Sequence, residues 1–326
     1  MSAAWMMQHV FDHWDYSRDL PWLQKQGYNL VREVAQFWTT QLVQDRYSKD
    51  NTLVVNPCNS PERGPTTFGC ANWQQLLHQL FTQTLILADA VNDQDASFIA
   101  LLNGFLHTID DGIHFTSWGG IKEFKLPEAM GLETQGDKHR HLSHLVGWFP
   151  GYSISSFSNG YWNQTLQRAV AASLRSRGNG NADGNTGWGK VWRAAAWARL
   201  NDTNQADYHL RNAIYSNIGV NGLSIYDGRD GPFQIDANFG IAGAMLSMLV
   251  VDLPQPWPHV GKRSVVLGPA IPSRWGPGRI KGLRIRGGTI LQMSWNNRGV
   301  VNEVGIIHKG EPFRFFSREG KLIGEI

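Results

Sequence analysis

The apolar residues of this chain change their period once, and that change restricts the fold to a helical part followed by a β part. Up to Leu253 they recur at three- and four-residue steps, the spacing of a single helix face. After Pro258 they alternate or run in short β-rich stretches between Gly/Pro turns: Val265 to Leu267, Leu283 to Arg286, Thr289 to Trp295 and Val300 to Val304. A boundary is expected near 254–262, with a barrel-forming helical domain over 1–254. A small antiparallel, sandwich-like β domain is expected over 255–326.

The helical part divides into eight or nine helices. The first covers 2–17, with Trp5, Val10 and Trp14, and a long one covers 20–47, with Tyr28, Val31, Val34, Ala35, Trp38 and Leu42 on one face. Others are expected over 73–91, 94–108, 162–177, 187–200, 205–217 and 239–252, the last apolar enough to be buried. Thr186 reads as the cap of the 187–200 helix, whose face carries Trp188, Val191, Trp192, Ala195, Ala196 and Arg199. No repeat of fixed period argues for a solenoid. Paired helices with long loops at alternate connections suit a toroidal helix barrel. The chain starts inside a helix, which implies a barrel incomplete at its N-terminal end.

The loops hold the polar interest. Residues 50–72 contain Pro57, Pro61 and Pro65, which exclude a helix, and Glu62 lies between them. Long ordered loops are commonly functional. A second loop, 109–138, carries Asp110, Asp111, Trp118, Glu123 and Glu128, and leads into His139-Arg140-His141-Leu142-Ser143-His144. A third, Gly228 to Gly240, is glycine-rich, includes Asp230, and places Asp236 between Ile235 and Phe239.

Composition excludes several functions. A net charge of +3 without a Lys/Arg run gives no nucleic-acid footprint. No run of about 18 apolar residues offers a membrane span. The first residues lack the basic and apolar regions of a signal peptide. The two cysteines, Cys58 and Cys70, share one loop and could close a disulfide, which disfavours a cysteine nucleophile. Asn163 and Asn201 head glycosylation sequons that permit secretion. There is no Gly-x-Ser-x-Gly elbow and no GxGxxG after a strand. The 14 tryptophans can fill a helical core or stack on sugar rings.

Breaking a glycosidic bond needs two carboxyl groups, one protonated and one ionised. Glu62 and Asp236 stand out among the loop acids because their neighbours are apolar or Gly/Pro and few are charged. Glu123, between Trp118 and Phe124, is the third choice. Asp236 also reads as a helix N-cap. The histidine cluster has three readings: imidazoles satisfied by carbonyls, a metal site short of a third ligand, or donors for substrate hydroxyls.

Together, residues 1–47, Asn59-Ser-Pro-Glu62, Ile121-Lys-Glu-Phe124, His139-Arg-His-Leu-Ser-His-Leu145, Thr186-Gly-Trp188 through Trp197-Ala-Arg-Leu200, and Phe233-Gln-Ile-Asp-Ala-Asn-Phe-Gly240 resemble the catalytic domain of glycoside hydrolase family 95. Its members are α-L-fucosidases, with some α-L-galactosidases. The resemblance implies a mainly α protein: a partial (α/α)6 toroid barrel followed by the family's C-terminal β domain. It implies an inverting hydrolase with Glu62 as general acid and Asp236 as base. It further implies Arg140 and His141 on the fucose and Trp5 as an aromatic wall, with Glu123 the alternative acid in the substrate pocket. It calls for no cofactor and no metal, a fucosylated glycan as substrate, no nucleic-acid or membrane partner, and an extracellular setting. Oligomeric state is left open. The family's Asn-x-Asn motif, which helps orient the water, would precede Met1, so reduced activity is expected of this chain alone. The competing readings are a disaccharide phosphorylase of the same fold and a non-catalytic sugar-binding remnant.

Overall fold

The computed structural model describes residues 1–157, 163–228, 231–258 and 261–326. Arg229 and Asp230 of the third loop, and part of the expected 254–262 boundary, lie outside the described residues. The chain divides into two compact units. The first is Met1–Thr134, Ser143–Leu166 and Pro254–Val260; the second is Gln135–Leu142, Gln167–Leu253 and Gly261–Ile326.

The first unit begins with α1 (Ser2–Ser17), the short α2 (Leu20–Trp22), a π turn at Leu23–Gly27 and α3 (Tyr28–Thr39). The helix expected to reach residue 47 therefore ends eight residues early. Thr39 and Thr40 are β-branched and poor helix formers. Their hydroxyls donate back to the carbonyls of Gln36 and Phe37, which satisfies the helix end where it stops. Two antiparallel pairs follow: β1 (Val43–Gln44) with β2 (Leu53–Val54), and β3 (Cys58–Ser60) with β4 (Arg63–Thr67). The sequence pattern did not announce these strands, because they are too short for alternation to register.

Next come α4 (Ala71–Val91) and α5 (Ala96–Thr108), the latter capped by Asp95, which accepts from Phe98 N. Helix α4 is buried along nearly its whole length and packs on α1, α3 and α5. It carries glutamines inside as well as leucines. Gln74 donates to the carbonyls of Leu53 and Asp110, Gln75 to those of Gly112 and His144. Gln79 accepts from Tyr152 N, and Gln83 donates to the Tyr152 hydroxyl. Each buried amide is thus satisfied and pegs a loop to the central helix. Met6, Leu30 and Phe37 leave apolar surface exposed on α1 and α3.

Helix α6 (Gln164–Arg177) leads into the second unit, where α7 (Gly187–Arg199), α8 (Thr203–Asn217) and α9 (Asp236–Leu249) pack on one another. Helix α9 is only partly the buried helix expected. Ala237, Ala244 and Met248 are covered, while Phe239, Met245 and Leu246 face outward. The turn to strand comes at once, with β5 (Val250–Asp252). It joins a four-stranded sheet, ordered β11-β10-β6-β5, with β6 (Arg263–Leu267), β10 (Phe313–Phe316) and β11 (Leu322–Glu325). A second, antiparallel sheet holds β7 (Gly278–Arg284), β8 (Ile290–Trp295) and β9 (Val301–His308). All pairs are antiparallel except β6 with β10, which are parallel. Alternate residues of both sheets, including Val265, Leu283, Leu291, Met293, Phe313 and Phe315, close on one core, as in a sandwich.

Candidate active site

In the first unit, β3 and β4 pair Ser60 with Arg63, so Pro61 and Glu62 form the turn between them. Glu62 has φ 54°. Proline first and a left-handed residue second is the type II pattern, which ordinarily places Gly or Asn where this chain has Glu. A left-handed Glu costs about 1–2 kcal/mol. Such strain persists only where surrounding structure over-determines it. Here the Cys58–Cys70 disulfide ties the hairpin to the start of α4, and Trp73 Nε1 donates to Asn59 O at 2.8 Å. The Glu62 side chain is exposed at the tip.

Glu123 has the opposite environment. It is 1% exposed. Ser60 Oγ donates to its Oε1 at 2.5 Å, and Arg63 Nε lies 3.4 Å from its Oε2. Ser60 and Arg63 flank the turn, so Glu123 braces the hairpin that carries Glu62. Its own backbone is held in turn: the N–H groups of Glu123 and Phe124 both donate to Glu133 Oε1 at 2.9 Å. Burial pushes the Glu133 carboxyl up.

Two residues on, Lys125 is buried with Nζ at 2.9 Å from Asp45, 2.8 Å from Asp50 and 2.9 Å from Asp110. Thr52 Oγ1 completes the set at 2.6 Å. Burial works against the ammonium charge, but bonds to Asp50, Asp45 and Asp110 outweigh it and hold the pKa above the usual lysine value. Asp110 also binds His114 Nε2. Trp5, the expected aromatic wall, is half-buried on α1 with its ring edge-on to His9 at 6.0 Å.

In the second unit, α7 organises the other candidates. Arg140 Nη1 sits 3.1 and 3.3 Å from the two oxygens of Asp183, whose Oδ2 also accepts from Arg140 N and meets His139 Nδ1. Burial raises the Asp183 pKa, and the bonds from Arg140 and His139 more than offset it, leaving the carboxyl below its ordinary range. His141 stacks on His139 at 5.1 Å and tilts against Trp188 of α7 at 4.8 Å. Behind this loop, Arg193 is fully buried. Its guanidinium donates to the carbonyls of Gly178, Arg140, Gly189 and His139. Lys190, also fully buried, donates to Asn185 O, Asn185 Oδ1 and Asn217 Oδ1. Burial, then the charge of Arg193, lowers Lys190 to about 8.

Asp236 is not the N-cap. Ile235 holds that position, Asp236 is the first helical residue, and no side-chain bond caps α9. The carboxylate is exposed in the first turn of α9. Its backbone is fixed by neighbours with little side chain. A Cβ on Gly187 would lie 2.7 Å from Ala237 Cβ, and one on Gly240 would lie 2.2 Å from Val191. Asn238 bridges to the preceding loop, accepting from Ser224 N and donating to Gly222 O. Asn217 donates to the carbonyls of Ile225 and Tyr226, so the Lys190 network reaches the same loop.

Asp183 counted only as one of the many loop acids in the sequence, and Lys190, Arg193, Asn217 and Glu133 gave no signal there. The helical face read from Trp188, Val191, Trp192, Ala195, Ala196 and Arg199 is not uniformly buried: Trp188 and Trp192 are half-buried, while Lys190 and Arg193, off that face, lie inside. Thr186 sits at the expected N-cap but makes no capping bond. Asn185 and Asn217, flanking a buried lysine, gave no carboxylate partner to notice. Among the described residues, no group of three or more His, Cys, Asp or Glu is placed to hold a metal ion.

Comparison with known proteins places these features in a lineage. The model of the glycosyl hydrolase family 95 catalytic domain matches residues 1–249, and that of the family 95 C-terminal domain matches 261–315. A probable alpha-fucosidase A of Aspergillus niger is 50% identical over 306 residues, 92% of this chain and 38% of that protein. An alpha-L-fucosidase 2 of Arabidopsis thaliana is 28% identical, over 92% of this chain and 35% of that protein. This chain therefore spans well under half the length of these relatives. Among solved structures, a putative kojibiose phosphorylase from human microbiome aligns with a TM-score of 0.53 at 9% identity, covering 99% of this chain and 44% of that one. That likeness bears on fold alone, and it agrees with part of an (α/α)6 barrel followed by a β domain. With the catalytic model running unbroken from the first helix to the end of α9 and its companion following on the strands, the chain belongs to glycosyl hydrolase family 95.

Proposed function

We propose that this chain contributes the acid and base of an inverting α-L-fucosidase acting on terminal fucosyl units of a glycan. Glu62 gives its proton to the glycosidic oxygen as the bond to C1 breaks. Asp236 takes a proton from the water whose oxygen attacks C1 from the opposite face. The products are a free sugar of inverted configuration and the glycan's new hydroxyl. Arg140 and His141, anchored on α7, contact the fucose hydroxyls, and Trp5 offers an apolar wall. Residues 1–254 are assigned to catalysis and 255–326 to the C-terminal β domain, whose four-stranded sheet also takes in β5 (Val250–Asp252).

The observation that carries this reading is the contrast between Glu62 and Glu123. The exposed acid is held in a strained turn, and the buried acid is spent bracing it. The test is Glu62→Gln and Asp236→Asn in a protein of the relatives' full length. Each should lower kcat at least a thousandfold, and NMR of the first-released sugar should show the inverted anomer. Hydrolysis that survives either change sinks the assignment. Release of sugar phosphate when inorganic phosphate is added would favour a phosphorylase instead. An extracellular setting is part of the proposal, supported by the Cys58–Cys70 disulfide. A glycan mass on exposed Asn163 of the natural protein would agree with it, and a reduced Cys58–Cys70 pair in that protein would oppose it.

A further inference from the structure

The hairpin that carries Glu62 has a second feature at its foot. Asn56, just before β3, and Phe68, just after β4, line a groove of about 420 Å³ together with Gln44, Arg46, Tyr47 and Val54. Its volume falls in the range of about 300–1,000 Å³ found for small-molecule sites. Tyr47 is 58% exposed, and its ring meets Phe68 at 5.5 Å between centroids. An aromatic face left to solvent beside a second ring is a stacking platform. Around it stand Gln44, Arg46 and Asn56. All three are exposed, and among the described residues their side chains make no hydrogen bond or ion pair. A flat apolar face rimmed by amide and guanidinium donors is the chemistry that recognises a sugar ring.

The groove is also preorganised. Asp45 Oδ1 accepts from the N–H groups of Tyr47 and Ser48 at 2.9 Å, fixing the turn that presents Tyr47. Its other oxygen is bound by Lys125 at 2.9 Å. The opposite wall, Val54, pairs with Val43 across β1 and β2. A rigid platform loses little entropy on binding. From Glu62 to Phe68 is six residues, about 20 Å at about 3.3 Å per residue of strand, which several linked sugar rings span.

We propose that this groove is a subsite for a neutral sugar unit of the glycan chain that bears the fucose, remote from the bond that is cut. The choice of ligand rests on the proposed fucosidase reading, but the binding does not require Glu62 or Asp236 to be catalytic. The first experiment titrates the 326-residue chain with lacto-N-tetraose, a neutral oligosaccharide without fucose, and follows saturation-transfer NMR. Transfer should be seen with the unchanged chain, with Glu62→Gln and with Asp236→Asn. It should fall at least tenfold with Tyr47→Ala and with Arg46→Ala, both exposed positions whose truncation spares the core. Undiminished transfer in Tyr47→Ala, or none with the unchanged chain, overturns the subsite. The second uses the full-length protein. Tyr47→Ala should raise KM about tenfold for a fucosylated pentasaccharide, leave kcat alone, and leave an aryl fucoside unaffected. An equal effect on both substrates also overturns the subsite. Loss of hydrolysis reading without loss of lacto-N-tetraose binding would remove the fucosidase proposal and keep the groove.

Discussion

Replacing Lys125 by Met tests how the acid-bearing hairpin and its groove are held. The substitution keeps the length of the side chain and removes one charge from a cage of three carboxylates. The side chains of Asp45 and Asp110 are 1% and 3% exposed, so Asp45 is left as a buried anion without the Lys125 charge and Asp110 keeps only its contact with His114. Asp50 is 39% exposed and its share is screened by water. Breaking a buried pair by removing one partner costs about 3–5 kcal/mol.

The pH dependence separates this cause from lost packing. In the natural chain the folded pKa values of Asp45, Asp50 and Asp110 lie below their unfolded values. Their stabilisation is present above the unfolded pKa of about 4 and is lost as pH falls through the folded values. In Lys125→Met the same buried groups have raised folded pKa values, so they take up protons on folding as the solution is acidified. The penalty should therefore be about 3–5 kcal/mol at about pH 7 and shrink steadily toward about pH 4.5. Urea unfolding at a series of pH values measures it. A penalty that stays constant over that range refutes the electrostatic account.

Other outcomes follow from the same structure. Gly240→Ala drives a Cβ to within 2.2 Å of Val191 Cγ2. It should cost about 1–3 kcal/mol and, in the full-length protein, lower kcat through displacement of Asp236, read by urea unfolding and steady-state rates. His209 is 3% exposed and burial, with help from Arg193 and Lys190, lowers it to about 3. The unfolded imidazole protonates below about 6.5, so stability should fall as pH drops from there toward about 3, and His209→Leu should flatten that slope. Reducing Cys58–Cys70, which closes a separation of 12 residues, should remove about 3 kcal/mol, measured by thermal unfolding with and without dithiothreitol.

The helices and their faces were legible in the sequence wherever one side of a helix met a core. The end of α3 was not, because two threonine hydroxyls terminate it locally while the apolar spacing runs on to Leu42. Glu62 and Asp236 were legible as carboxylates in poorly charged loops. Their supports were not. Glu133, Asp183 and Lys125 look like ordinary loop charges, and only tertiary contacts distinguish them. The same holds for Lys190 and Arg193. Helical periodicity assigns cations to the solvent side, while here backbone carbonyls and amide oxygens, which leave no trace in side-chain spacing, make the interior hospitable.

Among the described residues, the hydrogen bonds of Arg193 go to the carbonyls of His139, Arg140, Gly178 and Gly189. Every amino acid supplies that carbonyl. The clamp is therefore indifferent to what the 139–141 loop displays, and if Arg140 and His141 bind sugar as proposed, sequence change there can alter what the loop recognises while its path over α7 is kept. On that proposal, a single guanidinium behind an interchangeable front is a mount on which new sugar preferences can be tried without rebuilding the scaffold. Libraries aimed at altered specificity should randomise the loop and leave residue 193 untouched.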